Sequence, residues 1–469
     1  MKMGVILGNR GFFADSLCLE GRKRLLSVLR DHGIEPVILP EDYGTYGSVQ
    51  STADALACAD LFRSEREDIA GIIVSLPNFG DEKSVLRVLR EFDKPVPILV
   101  HAFADRLGQL DYEHRRDAFC GKISVCNNLY QAGIPFSLTQ RHTVDPETDD
   151  FARDLMNFAA VCRVVRAVRG ARIGLLGMRP GDFNTVRFSE KILERHAVSV
   201  EPLELSDVIE GVRALPDADT VVQDNLKELA SYMAWETVPK DSRLKLAKLL
   251  VIYRRWVREQ GLSAAAVQCW DALQRHLGIN PCLVMSVLSQ ERVPAACESD
   301  VAGALSMLIL QAASEQPSAL VDWNNNVDSD PDRVVLFHCG NFACDAYHTG
   351  STTPSVSFPQ ILASTLGSEN TYGAIEGRLK PGPVTFARIA TDDATGRLRA
   401  YTAEGTITED TLETFGSWGV AQVSDLQTLM QHICRHGFEH HVAINLSASA
   451  AGIVEALTTY LGWDVYSHQ

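Results

Sequence analysis

Four short segments set an acid or an imidazole at the edge of an apolar, strand-like run. Glu298 lies in Pro294-Ala-Ala-Cys-Glu298-Ser-Asp300, and Asp322 opens Asp322-Trp-Asn-Asn-Asn326. His338 lies in Phe337-His338-Cys-Gly340, and a histidine pair lies in Glu439-His440-His441-Val-Ala. Two carboxylates and one or two imidazoles from separate segments, brought together by folding, make an oxygen-rich site that suits Mn²⁺ or Mg²⁺ better than a thiolate-bound metal. Such a site can move a proton between neighbouring carbons of a sugar. The cation polarises hydroxyl and carbonyl oxygens, and carboxylates on either side serve as ligands and as acid and base.

Each residue also has a plainer reading. Glu298 alone fits an acid placed at the N-terminus of a helix over 300–313. Asp322 ends an apolar strand and precedes Trp323 and three asparagines, a polar cluster that is costly to bury without partners. A lone strand-end histidine such as His338 is more often a satisfied core residue. His440 and His441 begin a strand, so alternation sends their side chains to opposite faces and lets only one reach a given site. Their joint occurrence at strand ends favours the site.

The elements that must position these residues fall into three pieces. Strand-like runs at 3–8, 35–39, 71–75 and 97–100 alternate with helical periodicity over 17–33, 51–64 and 82–92, the signature of a doubly wound parallel sheet. A long helix over about 149–168 leads into a second α/β series: strand 172–177, a helix near 186–196, strand 199–203, helices over 219–231 and 241–260, and buried strands at 264–268 and 318–322. From about 330, Gly, Thr, Ser and Pro rise and short β-branched runs appear (334–338, 384–389, 398–401), with helices over 424–435 and 449–460. The expected domains are 1–165, an N-terminal α/β domain; 166–328, a second α/β domain carrying the acids; and 329–469, a β-rich domain.

Composition narrows the function. At 469 residues, 46% hydrophobic and 22% charged, the chain reads as a multidomain globular protein. A net charge of −16 argues against nucleic acid and anionic membrane surfaces as partners. The apolar core of Met1–Gly8 is about five residues, shorter than a signal peptide requires, so a cytoplasmic location is expected. Eleven cysteines without CxxC spacing fit a reducing compartment rather than a disulfide framework. Gly8-Asn-Arg-Gly-Phe-Phe13 and Gly177-Met-Arg-Pro-Gly181 follow strands but match neither glycine-rich nucleotide motif, leaving Arg10 and Arg179 to face a substrate. In Phe119-Cys-Gly-Lys-Ile-Ser-Val-Cys-Asn-Asn128 the glycine permits close approach, and Lys122 or Asn127 is placed to hydrogen-bond a ligand; an ordinary loop-to-helix junction fits equally well.

Taken together, Asn9-Arg-Gly-Phe-Phe13, the 119–128 segment, Phe183-Asn-Thr185, Gln268-Cys-Trp270, Ala296-Cys-Glu298, Asp322-Trp-Asn324, His338-Cys-Gly340 and His440-His441-Val resemble the L-fucose isomerase / L-arabinose isomerase family of metal-dependent aldose–ketose isomerases, along nearly the whole chain. The resemblance implies two Rossmann-like α/β domains and a C-terminal domain with a β-barrel core. It implies Mn²⁺, with Mg²⁺ or Co²⁺ as substitutes, held by Glu298, Asp322 and His441, the two acids doubling as acid and base through a cis-enediol. Gln268, Trp270 and Asn324 would bind or stack on the sugar. His338 falls where arabinose-type members have a further ligand and fucose-type members have none. A homo-oligomer, commonly a hexamer, would let Arg10 and Phe12 close a neighbour's pocket. The competing reading is a non-catalytic sugar-binding or regulatory protein on the same fold. Arg10, Lys122, Arg179 and Arg187 are compatible with a phosphorylated or sulfonated sugar, although ordinary surface cations explain them as well.

Overall fold

The computed structural model describes residues 1–350 and 353–468. The chain divides into two compact units: Met1–Arg166 with Glu455–Gly462, and Ala167–Val454 with Trp463–Gln469.

The first unit is built on a parallel sheet of β1 (Lys2–Leu7), β2 (Glu35–Val37), β3 (Ile69–Leu76), β4 (Ile98–Ala102) and β5 (Ser137–Leu138), in the order β2-β1-β3-β4-β5. Every residue of β3 and β4 is buried, as expected for strands covered on both faces. The strand–helix alternation read from the sequence is present, with helices Asp15–Asp31, Thr52–Ser64, Glu82–Phe92, Ala118–Gln131 and Asp149–Val168. Ser51 and Asp81 cap the second and third by accepting from the backbone N–H of Asp54 and Ser84. The returning segment Glu455–Gly462 brings the Tyr460 hydroxyl to the backbone N–H of Ile98 (3.2 Å) and to Ser137 Oγ (2.9 Å). This C-terminal contribution to the N-terminal sheet has no local sequence signal.

The second unit opens with a smaller parallel sheet, β6 (Arg172–Leu176), β7 (Ser199–Leu203), β8 (Ala264–Val267) and β9 (Ala295–Ala296), ordered β7-β6-β8-β9. It continues into a nine-stranded sheet: β10 (Ala319–Val327), β11 (Asp330–His338), β12 (Ser355–Ser357), β13 (Ala374–Arg378), β14 (Gly382–Asp392), β15 (Arg397–Ile407), β16 (Ser417–Gln422), β17 (His441–Asn445) and β18 (Asp464–Ser467). Antiparallel pairing runs β16-β11-β10-β17-β14-β15 and returns from β15 to β16, closing a six-stranded barrel. Closure removes the exposed edges that open antiparallel sheets must protect. Alternate residues (Val334 and Leu336, Val384 and Phe386, Val442 and Ile444) enter one apolar core, the period-2 pattern of strands with one buried face.

Two readings change. The 318–322 run, expected as a buried strand of the second α/β series, belongs to β10 and hydrogen-bonds within the barrel. Asn324, Asn325 and Asn326 extend the same strand but are exposed, so their polarity reflects solvent rather than a buried cluster needing ligands.

Candidate active site

Glu298 follows the two-residue strand β9, at the C-terminal end of the smaller parallel sheet, the usual end for ligands in such sheets. Glu298 and Ser299 both have φ of 54°, a left-handed conformation that costs non-glycine residues of order 1–3 kcal/mol each. The turn is held by its sheet: the Ser299 N–H donates to Val267 O (3.1 Å) and its hydroxyl to Leu176 O (3.2 Å). The Trp270 indole N–H donates to Glu298 Oε1 at 3.0 Å, and the Trp270 ring meets Phe183 edge-on at 5.4 Å. Trp270 thus fixes the carboxylate, leaving Oε2 free to face the histidines.

The helix-capping role considered for Glu298 belongs to Asp300, whose Oδ1 accepts from the Gly303 N–H at 2.8 Å at the start of helix Val301–Ser314. Asp300 also accepts from His441 Nδ1 at 2.9 Å and from the guanidinium of Arg388 at 2.6 and 3.1 Å. Arg388, fully buried, donates a further hydrogen bond to Glu439 at 3.1 Å. With Nδ1–H given to Asp300, His441 turns Nε2 toward Glu298 Oε2 (3.2 Å) and Asp322 Oδ1 (3.6 Å). A histidine oriented by a carboxylate behind it is the usual arrangement of a metal-ligating imidazole.

Barrel register completes the site. Asp322 in β10 lies directly opposite His441 in β17. His338, the last residue of β11, brings Nε2 to 3.6 Å from Glu298 Oε2. Strict alternation of the histidine pair does not hold: His440 precedes β17, escapes the strand's pleat, and also reaches Asp322 Oδ1 at 3.6 Å. Two overlapping donor groups result, Glu298–His338–His441 and Asp322–His440–His441, each with ligand atoms within 4.8 Å of one another.

Glu298 Oε2 and Asp322 Oδ1 are both buried and accept no hydrogen bond. Orphaned carboxylate oxygens converging on one imidazole nitrogen fit a hard divalent cation, which takes oxygen and imidazole donors. Burial alone would push the Glu298 carboxyl up, but His338 and His441 outweigh it and hold it well below the usual range. Burial opposes protonation of His441, yet Asp300 and Glu298 raise it to about 9. Burial and the neighbouring His441 lower His440.

The remaining sequence candidates are spread more widely. Gln268 is anchored by its carbonyl, which accepts from the Met178 N–H at 3.0 Å. Asn324 stands exposed on β10 beyond the donor groups. In the first unit, Arg10 pairs with Glu82, donates to Gly80 O (2.7 Å) and covers the Phe79 ring at 4.3 Å, while Phe12 is 67% exposed. Lys122 is buried, donates to Thr139 Oγ1 at 2.6 Å, and is pushed down to about 8 by burial. Sequence reasoning did not single out Asp300 and Arg388. The available signal was an arginine inside the apolar run Val384-Thr-Phe-Ala-Arg-Ile389 and an acid two residues after Glu298.

Beside the site is a cavity of about 550 Å³ whose lining includes Ser299, Glu439, Arg179, Arg187, Asp392 and Asp393. Arg179 and Arg187 hydrogen-bond to backbone carbonyls of Pro180, Gly181 and Asn184.

Residues 4–169 match the fucose/sulfoquinovose isomerase N-terminal domain, and residues 336–469 match the L-fucose isomerase C-terminal domain. A sulfoquinovose isomerase from Priestia aryabhattai is 21% identical over 355 residues, 76% of this chain and 74% of that protein. One from Alkalicoccus urumqiensis is 26% identical over 290 residues, 61% of this chain and 62% of that protein. Another, from Clostridium sp. (strain MSTE9), is 25% identical over 201 residues, covering 42% and 44%. With both terminal domains matched around a barrel that gathers the two acids and the histidines, the chain belongs to the fucose isomerase family and is a sugar isomerase, an enzyme that interconverts aldoses and ketoses.

Proposed function

We propose that the reaction is metal-dependent and runs through a cis-enediol, with Glu298 and Asp322 as the acid–base pair. The observation that carries this reading is the pair of buried carboxylate oxygens without a hydrogen bond, Glu298 Oε2 and Asp322 Oδ1, converging on His441 Nε2. Glu298, Asp322 and His441 would hold Mn²⁺, with Mg²⁺ or Co²⁺ able to substitute. Bound there, the cation would polarise the substrate's neighbouring oxygens and acidify the C–H bond between them.

The chain's own residues do the rest. One carboxylate takes the proton from C2 of the open-chain aldose while O1 gains a proton, giving the enediol. The other takes the proton from O2 as C1 is protonated, giving the ketose. Glu298, kept ionised by His338 and His441 and steered by Trp270, is ready to accept a proton. Asp300 and Arg388 keep His441 from rotating.

The substrate we infer is an anionic aldohexose of the sulfoquinovose type. The relatives carry that name, and Arg179 and Arg187 line the adjoining cavity. An oligomer, a hexamer in the family's manner, in a cytoplasmic setting, would give the exposed Phe12 and its neighbour Arg10 a role in another copy's pocket. No helix among the described residues is long and apolar enough to cross a membrane.

With Mn²⁺ and sulfoquinovose in D₂O, the ketose should acquire solvent deuterium at C1. Glu298→Gln should lower kcat by about 10²–10⁴-fold, the range for losing a general acid–base group. Turnover of a metal-free preparation at the Mn²⁺-loaded rate would overturn the metal-dependent reading, and unimpaired turnover by Glu298→Gln would remove Glu298 from it.

A further inference from the structure

Behind Glu298 and His338 lies a group of sulfurs that the isomerase chemistry does not use. Cys282 is the first residue of the helix Cys282–Gln290, Cys297 sits between β9 and Glu298, and Cys339 follows β11. Their Sγ atoms all lie within 4.8 Å of one another, with Cys282–Cys339 at 3.2 Å and Cys297–Cys339 at 3.8 Å. Cys282 and Cys297 are fully buried. A fourth thiol, Cys269, approaches Cys297 closely enough to form a group with it and Glu298.

We propose that Cys282, Cys297 and Cys339 form a second metal site, selective for a thiophilic d¹⁰ cation such as Zn²⁺ or Cu⁺ and separate from the oxygen-rich site. Thiolates bound to Zn²⁺ at about 2.3 Å in tetrahedral geometry stand about 3.8 Å apart, the scale of this sulfur triangle. The donors come from three separate segments spanning 57 residues, so the fold rather than a short local motif builds the site. Binding replaces thiol protons by the cation, releasing them to solvent. Donor softness separates the two sites: three sulfurs select a soft cation, while two carboxylates and imidazoles select a hard one.

The sites also touch. Cys339 Sγ lies 3.4 Å from His338 Nδ1, so a metal-bound thiolate there accepts the Nδ1–H and holds the ring with Nε2 3.6 Å from Glu298 Oε2. A loaded sulfur site therefore fixes the orientation of the His338 ring.

The test uses the full-length chain, reduced and stripped of metal, titrated anaerobically with Cd²⁺. A thiolate-to-cadmium charge-transfer band should saturate at one equivalent and persist under saturating Mn²⁺. The band should be lost in Cys282→Ser/Cys297→Ser and retained in His441→Ala. Absence of the band in the unaltered chain, its displacement by Mn²⁺, or its loss in His441→Ala with retention in the double serine variant would each overturn the proposal. Should the double variant fail to fold, the Mn²⁺ competition and the one-equivalent saturation of the band in the unaltered chain decide the matter. Neither readout involves isomerase turnover, so this proposal and the metal-dependent isomerase reading fail separately.

Discussion

Arg388, Asp300 and His441 form a buried chain of charge that ends at the carboxylates. A buried ion pair is weak evidence for stability, because desolvation offsets most of its attraction, but breaking one partner leaves an uncompensated charge. Its role here is orientation. Burial would raise the Asp300 carboxyl, and Arg388 and His441 bring it well below the usual carboxylate range, so it remains an acceptor for His441 Nδ1–H. Asp300→Asn keeps the shape and one acceptor but can turn an amide N–H toward the imidazole. The expected outcome is Mn²⁺ binding weakened by about 10–100-fold, the usual effect of losing a group that orients a ligand, with little change in the melting profile of the first unit. Isothermal titration with Mn²⁺ checks it; unchanged affinity would show that His441 is oriented by other contacts. The acids and histidines were legible because chemistry needs those residue types. Asp300 and Arg388 were not, since an arginine in a strand announces a buried partner without saying which one.

At the scale of elements, close approach decides two glycines that look ordinary in sequence. A Cβ on Gly303 would lie 2.5 Å from Asp300 Oδ2, so this glycine lets one carboxylate cap a helix and orient His441 at once. A Cβ on Gly121 would lie 1.7 Å from the Phe79 carbonyl oxygen, so helix Ala118–Gln131 packs its backbone directly on the loop after β3. The 119–128 segment, readable as either a ligand loop or a helix junction, is therefore a helix over all ten positions. Gly121→Ala should destabilise the first unit by about 1–3 kcal/mol, the usual cost of overpacking, despite alanine's higher helix propensity. Urea unfolding measures it; a stabilised variant would mean the contact relaxes freely. Strand–helix alternation was readable because periodicity is local. The assignment of 318–322 to the barrel was not, since an apolar run does not name its hydrogen-bonding neighbours.

At the scale of the whole molecule, pH links a buried histidine to the first unit. His101 in β4 is fully buried, with Nε2–H donating to Val144 O at 2.7 Å and Nδ1 accepting from Ser75 Oγ at 2.9 Å. Burial lowers it to about 3 from the ordinary 6.5. The unfolded chain therefore takes up the proton first as pH falls. This contribution is complete above pH 6.5 and is lost progressively as pH falls through about 3. Protection of the β4 amides in hydrogen exchange should decline over that window, with His101 contributing on the order of a few kcal/mol. His101→Gln should flatten the dependence; an identical slope in the variant would assign it to carboxylates instead. By itself the sequence determined that the chain has parallel α/β sheets and a β-rich end, and that Glu298, Asp322, His338 and the histidine pair were the groups to watch. Period, turn chemistry and residue type act over a few positions and are written locally. Only the tertiary structure decided that six strands close into a barrel, that both histidines of the pair reach Asp322, that Asp300 and Arg388 stand behind His441, and that three distant cysteines meet. Those outcomes depend on register and closure between segments 42 to 141 residues apart, which no local pattern encodes.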